Sequence, residues 1–185
     1  MNSLSFLINT LFDLYITVVI LRIWLQAARA DFYNPFSQFI VKATQPVVGP
    51  LRRVIPSIGS IDLATIVFAY VLCVLKFMAL VLIASSGSVS FSADFLFLGL
   101  LSLIKAAGGL LFWVLLIRAI LSWVSQGRSP IEYVFHQLTE PMLAPIRRII
   151  PVMGGFDLSI LVLFIVLQFA NFLMGDVIGP IWYQL

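Results

Sequence analysis

The sequence has little charge, one cysteine and one histidine. Only 10% of its 185 residues are charged, whereas 62% are hydrophobic. A soluble domain carries about 25% charged residues, so this chain could not cover a surface that faces water. The composition therefore predicts an integral membrane protein. The single cysteine, Cys73, excludes an intramolecular disulfide and a cysteine metal cluster, and we interpret the lone His136 as a solvated or interfacial residue.

Four segments are apolar for long enough to cross a membrane as helices, which takes about 20 residues. They are predicted at about residues 4–26, 61–84, 95–124 and 156–175. The third segment is longer than a hydrocarbon core requires, so we expect it to tilt, to begin as an interfacial turn near Phe95, or to bend at Gly108 and Gly109. The predicted fold class is an all-α membrane protein with four transmembrane helices.

The basic residues of the loops lie in two of the three connections between these spans. The connections after the first and third spans contain Arg29, Lys42, Arg52, Arg53, Arg128, Arg147 and Arg148. The loop at residues 85–94 and both terminal tails contain no Lys or Arg. Because positively charged loops stay in the cytoplasm, we predict a multi-pass protein of the bacterial inner (plasma) membrane, with both termini periplasmic and the two long loops cytoplasmic.

The second half of the chain repeats the first. Residues 34–63 align without a gap with residues 129–158, an offset of 95, and both copies contain the same prolines, arginine pair and aspartate. Each copy reads as a span, a connecting segment and a second span, so the chain returns to the same side and the copies are parallel. We therefore predict two repeats, residues 1–90 and residues 91–185.

The connecting segment of each repeat is predicted to form an amphipathic elbow, at residues 34–60 and 129–155. Apolar residues recur at helical spacing after Pro35 and Pro130, which suit a first helical turn. We expect Pro46 and Pro141 to end this helix, because the residue before a proline avoids the α region. A second short turn would then present candidate residues for binding anionic lipid or a partner protein, which are Arg52, Arg53, Arg147 and Arg148.

Charged residues within or next to the spans form two candidate sets. The first set consists of one charged pair in each repeat, Arg22 with Asp62 and Arg118 with Asp157; the alternative for both arginines is snorkelling to the interface. The second set is an intramembrane polar layer at one depth, which comprises Asp13, Lys76 and Lys105. Both sets also have a purely structural interpretation, as helix caps, lipid anchors and salt bridges.

Two long segments of the sequence resemble a known family. "RADFYNPFSQFIVKATQPVVGPLRRVIP" and "AILSWVSQGRSPIEYVFHQLTEPMLAPIRRIIP" look like the two halves of a bacterial YggT-family membrane protein. The resemblance covers essentially the whole chain. It implies a role in survival of osmotic shock or in potassium uptake, as linked to double-repeat members. Single-repeat relatives are linked to cell division, to nucleoid or thylakoid organisation and to cofactor assembly on membranes.

Two functions are therefore open. The first is a non-enzymatic role in osmotic and envelope stress tolerance, through ion (potassium) uptake or its regulation. The second is a membrane scaffold or assembly factor for cell division or membrane-complex organisation, which binds anionic lipid or a partner through its elbows. We expect no enzymatic activity, no metal, no cofactor and no nucleic-acid partner. The expected partners are the lipid bilayer, anionic lipid head groups, and a second copy of the chain or another membrane protein.

Overall fold

The computed structural model describes residues 3–85, 92–124, 130–150 and 157–185. In this part of the chain the secondary structure is helical, which confirms the predicted fold class. The helices are α1 (Ser3–Ala27), α2 (Pro35–Val54), α3 (Leu63–Ala84), α4 (Asp94–Val124), α5 (Pro130–Ile149), α6 (Leu158–Ile178) and α7 (Ile181–Gln184). The predicted boundary between the repeats, at residues 90 and 91, lies outside the described residues.

Helices α1, α3, α4 and α6 are long and apolar enough to cross a membrane. They match the four predicted spans to within a few residues. Helix α4 continues for 31 residues through Gly108 and Gly109, so the glycine pair does not interrupt it. At 1.5 Å per residue it is about 46 Å long, which exceeds a hydrocarbon core of about 30 Å. The length of α4 therefore requires it to tilt or to project beyond the core.

Helices α2 and α5 are the elbow helices, and each contains two prolines in its interior. The prediction that Pro46 and Pro141 end these helices was wrong. Pro46 and Pro50 are four residues apart, as are Pro141 and Pro145, so each pair lies on one helix face. All four are exposed. The backbone hydrogen bonds that proline removes are therefore missing only on the outer side, where the carbonyl groups can meet polar surroundings.

The opposite face of each elbow helix is buried against the spans. Its buried residues recur at the three- and four-residue spacing of one helix face. They are Ser37, Ile40, Thr44 and Val48 in α2 and Val134, Phe135, Leu138, Thr139 and Leu143 in α5. The first turn of α2 starts at Pro35, after the N-cap Asn34, whose side chain accepts a hydrogen bond from the Phe36 amide. This confirms the predicted role of Pro35.

The two elbows contact each other at one end of the spans, which we call the elbow end. The rings of Phe36 and Phe135 lie 5.8 Å apart between centroids. The Trp24 indole in α1 donates a hydrogen bond of 3.1 Å to the Leu138 carbonyl in α5. The Gln137 side chain accepts one of 2.8 Å from the backbone of the loop before α2. Both halves of the chain thus have the same direction and pack on each other within one molecule.

The spans α1, α3 and α4 share one hydrophobic core, which also receives apolar side chains from both elbows. Cys73 is fully buried in this core, where it packs as a small apolar residue. Gly99 of α4 lies so close to α3 that an added Cβ would come within 2.5 Å of Val74 Cγ2. Helix α6 packs through a smaller cluster with α4 and α5, formed by Leu115, Leu143 and Ile160.

After α6 the chain turns back on itself. Gly179 adopts a φ of 88°, in the left-handed region that favours glycine. The short helix α7 that follows places Trp182 in a buried position, with 3% of its surface exposed. The Trp182 indole donates a hydrogen bond of 2.9 Å to the Asn171 side chain of α6. This contact fixes α7 beside the spans, at the end opposite the elbows.

Candidate functional site: the repeated polar clamps

The aspartates that follow the elbows cap the next spans. Gly59, with a φ of 62°, forms a tight turn between Ile58 and Ile61, and the turn delivers Asp62 to the start of α3. The Asp62 carboxylate accepts hydrogen bonds from the Thr65 amide and hydroxyl. A carboxylate at this position satisfies free amide groups and the positive end of the helix.

Asp157 has the same role at the start of α6. Its carboxylate accepts a hydrogen bond of 3.1 Å from the Ser159 amide and another from the Ser159 hydroxyl. Gly154, which corresponds to Gly59, lies outside the described residues. The structural interpretation of both aspartates as helix caps is therefore confirmed.

The ion-pair partner of each aspartate is the first arginine of the elbow. Arg52 Nε donates to Asp62 Oδ2 at 2.9 Å, and Arg147 Nε donates to Asp157 Oδ2 at 3.1 Å. The predicted direct pairs of Arg22 with Asp62 and of Arg118 with Asp157 do not form; this prediction was wrong. The reason is that the elbow helix ends with its arginine directly across the turn from the aspartate, whereas the span arginines face its middle.

Arg22 is held by the centre of α2. Its guanidinium donates to Thr44 Oγ1 at 2.7 Å, to Gln45 Oε1 at 2.8 Å and to the Val41 carbonyl at 3.2 Å. Arg22 has 3% of its surface exposed, and Thr44 is fully buried. Arg22 therefore does not snorkel towards solvent but joins the first span to its elbow.

Arg118 is held by α5 in the same way. Its guanidinium donates to the buried hydroxyl of Thr139 and to Glu140 Oε2 at 3.2 Å. We define the first clamp as Arg22, Thr44, Gln45, Arg52 and Asp62. The second clamp consists of the corresponding residues Arg118, Thr139, Glu140, Arg147 and Asp157.

The two clamps differ at the residue after the threonine. Glu140 bridges both arginines of the second clamp, because it also accepts hydrogen bonds from Arg147 Nη1 at 2.8 and 3.0 Å. In the first clamp Gln45 contacts Arg22, and Arg52 instead donates to Gln26 Oε1 at 2.6 Å. His136, which is half exposed, lies 3.3 Å from Glu140.

The ion pairs keep the clamp aspartates charged. Burial by itself raises the pKa of Asp62, but the hydrogen bonds from Arg52 and Thr65 outweigh it and the net pKa is lowered. Burial likewise raises the pKa of Asp157, and hydrogen bonds from Arg147 and Ser159 reverse the effect. The pKa of Arg147 is raised, because the attraction of its two carboxylates exceeds the effect of burial, which lowers it. Asp62, Asp157 and Arg147 are therefore charged at neutral pH.

The four elbow arginines predicted to bind lipid or a partner divide into two kinds. Arg52 and Arg147 are occupied within the clamps. Arg53 and Arg148 are exposed. The residue after each exposed arginine is an exposed aliphatic one, Val54 at 80% and Ile149 at 81%.

The predicted intramembrane layer is resolved into one ion pair and one separate lysine. Lys76 Nζ of α3 lies 2.6 Å from Asp13 Oδ1 of α1, and the Asn9 amide donates to the other Asp13 oxygen at 2.9 Å. Lys105 does not join this pair; it donates to the Trp182 carbonyl at 2.6 Å, and its Nζ lies 5.6 Å from the Trp182 ring centroid. The prediction of one layer failed because Lys105 faces the α6 and α7 side of α4.

Two cavities border α4. A cavity of about 310 Å³ lies beside α6 and α7, with Lys105, Gln168 and Asn171 as its polar lining. A second, of about 460 Å³, runs along α1 and the two elbow phenylalanines; its lining is mostly apolar and includes Asp13 and Thr17. The described residues contain no group of three or more His, Cys, Asp or Glu side chains that could hold a metal ion.

Sequence reasoning missed the clamp residues that hold the span arginines. Thr44 and Thr139 were visible as an identity between the repeats, but a threonine inside an amphipathic helix gives no sign of its partner. Gln45 and Glu140 differ between the repeats, so the identity of the repeats does not point to them. The charge difference between them would have been the signal.

These features define a four-span membrane protein of two parallel repeats, in which each amphipathic elbow is fixed to its spans by a polar clamp. The CCB3/YggT family matches the chain over residues 1–83 and 97–178. The chain therefore belongs to the CCB3/YggT family, which confirms the resemblance of its two halves.

Relatives of similar length support this assignment. The chain is 89% identical over 185 residues to an uncharacterized protein in the proC 3' region of Vibrio alginolyticus, with both chains covered in full. It is 52% identical over 178 residues to the uncharacterized protein YggT of Escherichia coli K12, covering 96% of this chain and 92% of that one. An uncharacterized Haemophilus influenzae protein is 39% identical over 182 residues, covering 98% and 97%. No solved structure matches the chain.

Proposed function

We propose that the protein is a non-enzymatic scaffold of the bacterial inner membrane, with its elbow end in the cytoplasm and both termini in the periplasm. The observation that carries this proposal is that the two arginines of each elbow pair make different contacts. Arg52 and Arg147 hold the elbow to the next span. Arg53 and Arg148 remain at the surface. Each repeat therefore presents one exposed arginine, which we call the outward arginine, on a helix whose position is fixed.

The surroundings of these arginines fit a membrane interface. Each is followed by an exposed aliphatic residue, Val54 or Ile149, which can enter the acyl boundary while the guanidinium binds phosphate oxygens. One basic residue near an anionic surface contributes about 1 kcal/mol. The partner that we propose is therefore the anionic lipid head-group layer; a second copy of the chain or another membrane protein with an acidic surface would use the same two arginines.

The charges inside the spans also favour a structural role. Arg22 and Arg118 bind elbow residues, and Lys76 is 6% exposed and paired with Asp13. Buried charges with fixed protein partners stabilise one arrangement of helices. This supports a rigid scaffold over a protein that changes shape to move a substrate.

The lipid proposal is tested by reconstitution in vesicles that contain phosphatidylcholine and labelled phosphatidylglycerol. Energy transfer from the protein to the label should report enrichment of phosphatidylglycerol around the wild type. The double variant Arg53→Gln, Arg148→Gln should lose most of this enrichment. The matched control is Lys42→Gln, which removes an exposed elbow charge outside the arginine pair. Equal enrichment by wild type and double variant contradicts the proposal.

The proposed orientation is tested by cysteine labelling in a Cys73→Ala background. A membrane-impermeant maleimide should label Ser3→Cys once the outer membrane is opened. Tyr33→Cys, at a site 89% exposed in the first elbow connection, should react only after the inner membrane is permeabilised. Labelling of Tyr33→Cys in spheroplasts with intact inner membranes would reverse the orientation.

A role in osmotic stress tolerance through potassium uptake is the second candidate function. It is favoured by polar groups at both cavities beside α4: Asp13, whose side chain is 49% exposed, lines one, and Lys105 lines the other. Potassium and sodium flux through the purified protein in liposomes, with and without an osmotic gradient, tests it. Flux that falls in Asp13→Asn would support transport. Flux no higher than in empty liposomes would reject it.

A further inference from the structure

The two clamps differ by one unit of charge. The first contains two guanidinium groups, Arg22 and Arg52, and one carboxylate, Asp62. The second contains two guanidinium groups and two carboxylates, because Glu140 replaces the amide of Gln45. The first clamp therefore has one net positive charge, and the second has none.

The guanidinium of the first clamp that lacks a carboxylate partner is that of Arg22, whose hydrogen-bond partners are all neutral. Arg22 donates to a hydroxyl, an amide oxygen and a backbone carbonyl. Its electrostatic neighbours are the Arg52 guanidinium, the Asp62 carboxylate and the Tyr15 hydroxyl, and the carboxylate is bonded to Arg52. A buried guanidinium without a carboxylate of its own is costly in a low-dielectric environment, and an added oxyanion would relieve that cost.

The first clamp is accessible from the elbow end. Gln45 is exposed, and the Arg52 side chain is 35% exposed. The Gln45 amide can also donate hydrogen bonds, which the Glu140 carboxylate cannot. Gly49, one turn after Gln45, leaves room for the amide, since an added Cβ would lie 3.3 Å from Gln45 Nε2. In the second repeat Ala144 supplies such a Cβ.

We propose that the first clamp binds one phosphate-type oxyanion between the Gln45 amide and the Arg52 guanidinium, where the corresponding Arg147 guanidinium contacts Glu140 in the second clamp. The Arg52 guanidinium and the Gln45 amide are its donors, and the buried Arg22 guanidinium, which stays bonded to Gln45 Oε1, attracts it through its charge. Guanidinium groups match the geometry of phosphate oxygens. The proposal is independent of the surface arginines Arg53 and Arg148, because it concerns one tight site rather than two exposed ones.

A lipid head group and free phosphate supply the same oxyanion, and the experiment separates these sources. The full-length protein in a neutral detergent is titrated with phosphatidylglycerol, phosphatidylcholine or inorganic phosphate, and bound molecules are counted by native mass spectrometry. We expect one tightly bound phosphatidylglycerol in the wild type. Inorganic phosphate that displaces this lipid, or binds in its place, would assign the site to a soluble anion. Binding of neither overturns the proposal.

The two repeats supply reciprocal variants. Gln45→Glu places a carboxylate in the site and should weaken phosphatidylglycerol binding about tenfold to a hundredfold, the equivalent of one charge-assisted hydrogen bond. Glu140→Gln combined with Ala144→Gly, which restores the room beside the amide, should create a second tight site, so that two lipids bind. Unchanged affinity in Gln45→Glu together with one bound lipid in Glu140→Gln, Ala144→Gly would refute the assignment.

Two controls keep the result interpretable. Arg53→Gln with Arg148→Gln should leave the single tight lipid in place while it lowers the looser enrichment in vesicles, so the two proposals can fail separately. Thermal unfolding in detergent without lipid shows whether each variant is folded. If Gln45→Glu proves unfolded, the count for Glu140→Gln, Ala144→Gly alone decides, since a second lipid is expected only if the missing carboxylate creates the site.

Discussion

Replacing the clamp aspartates by asparagine should destabilise the two repeats to different extents. Asparagine caps a helix about as well as aspartate, so Asp62→Asn and Asp157→Asn each remove a charge and retain the cap. The Asp62 side chain is fully buried, whereas that of Asp157 is 22% exposed. Arg147 keeps Glu140 as a second carboxylate partner, but the first clamp has no other carboxylate. Asp62→Asn should therefore be the more harmful change.

The expected loss of unfolding free energy follows from the burial of each ion pair. Breaking a buried ion pair by removing one charge costs about 3–5 kcal/mol. Because Arg52 is 35% exposed, solvent screens part of this loss, and we expect about 3 kcal/mol for Asp62→Asn. Asp157→Asn should cost about 1.5 kcal/mol, the value of one hydrogen bond to a charged group.

The assay is equilibrium unfolding of the purified protein in mixed detergent micelles with increasing dodecyl sulfate. The free energy of unfolding should fall in both variants, with the larger fall for Asp62→Asn. Equal losses, or a larger loss for Asp157→Asn, would refute the reasoning that Glu140 provides a reserve carboxylate.

The same measurement at low pH checks the electrostatic origin of the effect. The pKa of Asp62 in the folded protein is lower than its ordinary value of 3.8. The stabilisation is therefore fully present above that value and is lost as the pH falls below it, through the lower folded-state pKa. The wild type should lose stability over this range, and Asp62→Asn should lose less.

Three further predictions concern contacts away from the clamps, each measured as the unfolding free energy in detergent. Asp13→Asn leaves the buried Lys76 ammonium without its carboxylate and should cost about 3 kcal/mol, whereas the double variant with Lys76→Gln should recover part of the loss in a double-mutant cycle. Trp182→Phe removes the hydrogen bond to Asn171 and should cost about 1 kcal/mol; no loss would show that α7 is not held by it. Gly99→Ala should cost about 1–3 kcal/mol through overpacking, and a neutral effect would contradict the close approach of α4 to α3.

The four spans, the parallel repeats and the aspartate caps could be predicted because they depend on local properties. An apolar run of sufficient length has few alternatives to a membrane helix. An aspartate at the start of such a run meets the free amide groups of its own helix. None of these features requires knowledge of which helices are neighbours.

The partners of the arginines could not be predicted, because they depend on packing between helices. Arg22 and Asp62 both lie near the elbow end, yet the residue that binds the aspartate is Arg52, which lies across the turn formed at Gly59. The prediction for the elbow prolines was wrong for a related reason. A local rule predicts that Pro46 ends the helix, but the buried face of α2 stabilises the helix beyond it.

The distribution of identical and different residues between the repeats indicates where their shared function lies. At the elbow end, Arg22 recurs as Arg118, and each binds a threonine of its elbow helix. Asp62 recurs as Asp157, and each binds the first arginine of its elbow pair. Away from that end, Asp13 aligns with a glycine and Lys76 with Asn171. An activity common to both repeats must therefore reside at the elbow end, and an activity of the ion pair of α1 and α3 must belong to the first repeat alone. If the elbows act together, changing Arg53 or Arg148 alone should weaken the activity in part, and changing both should abolish it. If one repeat acts alone, one of these two single variants should account for the entire loss.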